Sequence, residues 1–137
     1  AELRATLEST ADGILVVDMD GGIRGFNQRF AELWDLPPTL LSQRDDAAIF
    51  EWLTTHVSDE TSYTARMGQI TRSPLLEADD VLMLRSGRVL ERVTLPQFAR
   101  GRPIGRVFSF RDITQRLADE ARLKLAASVF DSSLDAI

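Results

Sequence analysis

The sequence predicts an α+β fold: one five-stranded antiparallel sheet with helices on one face, flanked by an N-terminal and a C-terminal amphipathic helix. Three observations lead there. Apolar residues alternate with a period of two in a pair of stretches near the start and again in the last third, and follow a helical period between them. Turn chemistry divides each cluster into strands, at Asp20-Gly21-Gly22, at Ser86-Gly87 and at Arg100-Gly101-Arg102-Pro103. A chain of 137 residues that is 44% hydrophobic is long enough for one core and a short extension.

Residues 1–10 form a short capping helix, because Leu3 and Leu7 stand four apart among charges. A core of residues 11–112 follows. GILVVDMDGGIRGFN reads as two strands around a tight turn, and Asn27 caps a helix in which Phe30, Leu33 and Trp34 share a face. Pro37-Pro38 end that helix and a linking turn runs through Leu40 and Leu41. From Asp46 a helix sets Ile49, Trp52, Leu53, His56 and Val57 on one side, and the next carries Tyr63, Met67 and Ile70 before Pro74 stops it. VLMLRSGRVLERVTLP and RPIGRVFSFRD supply the last three strands. Residues 113–137 form an outgoing helix, in which Leu123, Ala127, Phe130 and Leu134 make a short coiled-coil seam.

Composition removes several classes of function. A net charge of −5 argues against attachment to nucleic acid or to an anionic membrane surface. The absence of Cys removes disulfides, thiolate metal sites, catalytic thiols and cysteinyl adducts, so no covalently bound cofactor is expected. No apolar run reaches membrane-spanning length, and a cytoplasmic location is expected of the segment. Catalysis is not expected: there is a single His, no Gly-rich phosphate loop, and DMDGG fails as a calcium loop because Arg29 stands where a bidentate Glu is needed. The pairs Asp45-Asp46 and Asp79-Asp80 read as caps and solvated turns rather than as acid and base.

The stretches ADGILVVDMDGGIRGFNQRFAELW (11–34), SGRVLERVTLP (86–96) and IGRVFSFRDITQR (104–116) resemble a PAS domain, the sensory module of bacterial multidomain signalling proteins. The resemblance runs from about residue 2 to about residue 131. Its most specific piece is Asp112-Ile113-Thr114, similar to the Asp-Ile-Thr triplet that in this family couples the sheet to a signalling helix. Physical chemistry agrees, since Asp112 is placed to accept from the first free amides of the helix and Gln115 to complete a capping box. The resemblance implies an output domain outside the chain, a histidine kinase of a two-component system or an enzyme making or breaking cyclic di-GMP. ESTADGI (8–14) also matches DSSLDAI (131–137) in register, as expected of a second repeat beginning in a longer protein.

If the resemblance sets the facing of the strands, Leu90, Arg92, Thr94, Phe108 and Phe110 point toward the helices and form candidate pocket residues with Trp52 and His56. Arg92 has two readings, an anchor for a carboxylate or phosphate of a small ligand, or half of an internal salt bridge. His56 also has two: an axial haem ligand, as in haem-binding relatives, or a His satisfied by a backbone carbonyl. Trp34 and Trp52 read as core. The opposite sheet face, with Val93, Leu95, Val107 and Ser109, is too apolar for open water and calls for a cover, either the Leu3 and Leu7 helix or a second subunit. The expected partners are a second copy of the chain, a small-molecule ligand of unknown identity and adjacent domains of the parent protein. A ligand-free interaction module and a haem sensor through His56 stay open beside the ligand sensor.

Overall fold

The computed structural model describes residues 11–135, with side chains to residue 128. The capping helix expected at 1–10, with Leu3 and Leu7, and the side chains of Phe130 and Leu134 lie outside the described residues, as does most of the matched pair of heptapeptides.

Strands β1 (Gly13–Asp18) and β2 (Ile23–Phe26) form the expected hairpin. Asp18 makes the turn: its Oδ1 accepts from the amides of Asp20 and Gly22, both at 2.9 Å, and Gly21 takes the positive φ of 86° that an L side chain resists. Asn27, fully buried, then fastens the hairpin to helix α1 (Gln28–Leu33). Its Oδ1 accepts from Ile14 N at 2.9 Å and Phe30 N at 3.0 Å, while its Nδ2 donates to the Asp12 carbonyl at 2.8 Å.

The proline pair behaves differently from the sequence reading. Helix α1 ends at Leu33, before the prolines, with Asp35 left-handed at φ 53°. Pro38 instead opens helix α2 (Pro38–Gln43), since its missing N–H costs nothing at the first helical position, so Leu40 and Leu41 are helical rather than in a turn. Helices α3 (Asp46–His56) and α4 (Glu60–Arg72) are capped by Asp45 and Asp59, whose carboxylates accept from Ala48 N and Ser62 N. The last third gives β3 (Ala78–Met83), β4 (Val89–Ala99) and β5 (Arg102–Asp112), followed by α5 (Thr114–Asp135).

All pairings are antiparallel, in the order β2-β1-β5-β4-β3. One face packs against the helices: Leu15, Leu82, Leu90, Phe108 and Phe110 meet Phe30, Leu33, Trp34, Ile49, Leu53 and Ile70. Trp34 stands edge-on to Phe110, ring centroids 5.6 Å apart at 89°. The other face leaves Val81, Met83 and Leu95 exposed, with Val93, Val107 and Ser109 half-buried. No helix among the described residues is long and apolar enough to cross a membrane.

Asn27→Ala removes the cap of α1 and leaves the Ile14 amide short of its partner. It is expected to cost about 2 kcal/mol in urea unfolding. Asn27→Asp, which keeps the acceptor and loses the donor, is expected to cost less.

Candidate functional site

Between the sheet and helices α3 and α4 lies a cavity of about 380 Å³. Val17, Arg106 and Phe108 wall it from the sheet, Phe50 and Thr54 from α3, and Tyr63, Thr64, Met67, Ile70 and Thr71 from α4; Asp18–Gly21 and Pro74 form its rim. Gly105 keeps this corner of the sheet closed, because a Cβ there would run into the Val17 carbonyl across the β1–β5 pair. Behind it the packing of Phe50, Tyr63, Met67 and Phe108 against Leu15, Leu53, Arg92 and Phe110 leaves no room for a water molecule.

Leu90, Arg92, Thr94, Phe108 and Phe110 are all buried on the inner face. Arg92 is 1% exposed, and its carboxylate comes from Asp80, its partner in the β3–β4 register: Nη2 stands 3.1 Å from Asp80 Oδ2. Asp80 therefore belongs to a strand and not to a solvated turn. Across-strand pairing turns its side chain inward, while Asp79 next to it is exposed. Arg66 of α4 grips the same carboxylate through Nε, at 3.1 Å to each oxygen. Partial burial works to raise the Asp80 carboxyl, but the bonds from Arg66 and Arg92 outweigh it and hold the group below the usual carboxylate range. Arg92 also donates to Met67 Sδ at 3.2 Å and lies over the Tyr63 and Phe108 rings, while its buried Nε lacks a partner. Burial raises the Tyr63 hydroxyl above its ordinary value, with Arg92 opposing.

Arg106 is the residue that the sequence reading passed over. It sits two residues before Phe108 on the same face, 6% exposed, with its guanidinium at the cavity wall. Alternation alone carried that signal.

Trp52 and His56 do not wall the cavity. Trp52 turns toward α1, its Nε1 donating to Trp34 O at 2.9 Å, and His56 stacks on Trp52 at 3.8 Å between centroids with Nδ1 2.8 Å from the Trp52 carbonyl oxygen. Both lie at the margin of the apolar stripe, whose centre is Ile49, Leu53 and Val57. That placement does not fit an axial haem ligand. Among the described residues no cluster of three His, Asp or Glu side chains is placed to hold a metal ion.

Strand β5 leaves the cavity wall and ends at Asp112. Asp112 Oδ1 accepts from Thr114 N at 2.9 Å and from the Thr114 hydroxyl at 2.6 Å, and that hydroxyl accepts from Val89 N at 2.8 Å. Ile113, buried, donates its amide to Val89 O at 2.9 Å. Gln115 takes no part in a capping box; its amide donates to Asp119 one turn on. Arg88, at the start of β4, adds a second tie: Nη1 donates to the Glu32 and Leu33 carbonyls at the end of α1 and to Asp35, and Nε lies 3.9 Å from Asp112 Oδ2. Partial burial opposes ionisation of Asp112, yet the bonds from Thr114, with Arg88 nearby, hold its carboxyl below the usual range.

A family profile described as PAS fold matches residues 7–118. No curated protein sequence matches the chain. Among solved structures, the sensor region of a sensor histidine kinase aligns over 77% of the chain at TM-score 0.59 and 17% identity, and the chain spans 40% of that relative's length. The domain of a light and redox sensing histidine kinase from Haloarcula marismortui aligns over 82% of the chain and 98% of its own length, at TM-score 0.58 and 19% identity. A sensory box histidine kinase/response regulator from Burkholderia thailandensis aligns over 96% and 99%, at TM-score 0.54 and 15% identity.

Asp80→Ala strands the buried Arg92 charge and is expected to cost about 3 kcal/mol by chemical denaturation. The Asp80 carboxyl is lower in the folded state than in the unfolded one, so its contribution is full at neutral pH and is lost as the pH falls through the folded value. The difference in stability between wild type and Asp80→Ala is therefore expected to shrink on acidification below about pH 4.

Proposed function

The chain belongs to the PAS-fold family, and from that premise we propose that it is a sensory and dimerisation module that relays occupancy of its cavity to an output domain. One observation carries the reading. A single strand, β5, walls the cavity with Arg106 and Phe108 and, four residues past Phe108, ends in the Asp112 joint from which α5 leaves with only Ile113 between. A ligand that shifts β5 by a fraction of an ångström moves the N-terminus of α5, because the bonds at Thr114 tie helix, β4 and β5 into one node.

From Ala121 to Ser128 every side chain of α5 is exposed, so this part of the helix runs clear of its own domain. Leu123 and Ala127 offer a seam for the same helix of a second copy, with Leu125 on another face. A parallel homodimer along α5 is the proposed arrangement, its helices passing the signal to a histidine kinase or to a diguanylate cyclase or phosphodiesterase outside the chain. Catalysis is assigned to that output domain and none to this module. A ligand-free interaction module is the second reading, supported by the exposed Val81, Met83 and Leu95 on the outer sheet face.

Asp112→Ala and Thr114→Val, placed in the protein that carries the output domain, are expected to leave the core folded at a cost of about 1 kcal/mol and to uncouple output from stimulus. Hydrogen exchange at the amides of Val89 and Thr114 is expected to quicken in both. Output that still responds as in wild type sinks the relay.

A further inference from the structure

We propose that the cavity takes a small organic acid with an apolar body and one carboxylate, and that Arg106 holds the carboxylate. This rests on reading the cavity as the sensory site and names the chemistry of what fills it. Arg106 is a cation taken out of water, and it stays protonated because arginine does not lose its proton in proteins. Its bonds all go to neutral oxygens: Nη1 donates to Leu76 O at 2.6 Å and to Thr94 Oγ1 at 3.1 Å, and Nη2 donates to Ser73 O at 2.8 Å. No carboxylate among the described residues forms an ion pair with it, whereas Arg66 and Arg92 share Asp80, Arg88 has Asp35 and Arg111 has Asp12. A buried charge with no counter-charge is costly, and a ligand anion removes that cost.

The donors left over are Nε–H and one Nη2–H, enough for a two-point grip on a carboxylate. Around the charge the walls are apolar, with Val17, Phe50, Ile70 and Phe108 suited to a hydrocarbon or aromatic body. A volume of about 380 Å³ is near the small end of ligand sites. Charge count sets the valence. Asp18 spends its carboxylate on the turn amides, but it stands with Asp20 at the rim and adds negative potential there. A dianion such as a phosphate monoester would meet one free cation and two rim carboxylates, so a single negative charge fits best.

The test is titration of the wild-type protein, followed by heteronuclear NMR, with phenylacetate and hexanoate beside their neutral amides, phenylacetamide and hexanamide. The acids are expected to bind about tenfold or more tightly than the amides, with shifts at Val17, Tyr63 and Gly105. Arg106→Gln is expected to bring each acid down to its amide, and Arg106→Lys to restore part of the difference. If Arg106→Gln does not fold, the comparison of acid and amide in the wild type decides alone. Equal binding of acid and amide in the cavity overturns the carboxylate assignment and leaves a neutral-ligand sensor; binding of neither acid overturns the proposal. Acids that bind through Arg106 without changing output overturn the sensory reading and leave the binding site standing.

Discussion

Strand β5 is the central strand of the sheet, paired with β4 from end to end and with β1 over residues 105–110, and it is also the strand that leads from the cavity wall into α5. Gly105 lets it close on the Val17 carbonyl, Phe108 and Phe110 anchor it in the core, and Asp112 ends it in a bolted joint. Because dense cores do not deform continuously, a change at Phe108 has two outlets, the helices opposite or the strand's own axis. The axis leads to α5.

The inner face gains this position at an electrostatic cost. Buried guanidinium groups are rare in so small a domain, and here Arg92 and Arg106 stand on adjacent strands, and of the two only Arg92 has a carboxylate partner among the described residues. Asp80 answers to Arg66 and Arg92 and forms no ion pair with Arg106. The carbonyls of Ser73 and Leu76 solvate Arg106 in part, and they belong to the segment that follows α4. Arg106 thus links the cavity wall to the irregular backbone around Pro74 at its mouth.

Much of this was legible in the residues. The hairpin around Gly21, the cap at Asn27 and the inward facing of Arg92 follow from turn chemistry, from a short polar side chain before an apolar run and from alternation, all local rules. What local rules miss is where a partner sits. Two adjacent aspartates at 79 and 80 look like a cap or a solvated turn, and only the β3–β4 register shows that one of them faces Arg92. His56 and Trp52 lie on the apolar side of α3 but at its margin, a distinction of a few tens of degrees that a helical period does not resolve. Pro38 opens a helix where a breaker was expected, since proline's effect depends on whether a helix precedes or follows it. Arg106 was derivable from the same alternation as Phe108; a charge between Gly105 and Val107 simply did not look like an inner residue.

The proposed relay needs energies at its two ends that are of one order. Hydrogen bonds to a charged group are each worth about 1.5–3 kcal/mol net, so a two-point grip on Arg106 supplies about 3–6 kcal/mol. Shifting a two-state equilibrium from one form to the other takes about 5.5 kcal/mol of differential binding. A ligand held equally well in both states shifts nothing, so the grip must be better in one of them. The guanidinium is anchored to Ser73 and Leu76 as well as carried by β5. Its two remaining donors therefore meet a ligand at a position fixed jointly by the strand and the cavity mouth. On the proposed relay, a carboxylate that draws those two elements together acts on β5 itself, and at the Asp112 joint it works against few bonds, about 1 kcal/mol for the neutral one from Val89 N and about 1.5–3 kcal/mol for each of those to the Asp112 carboxylate.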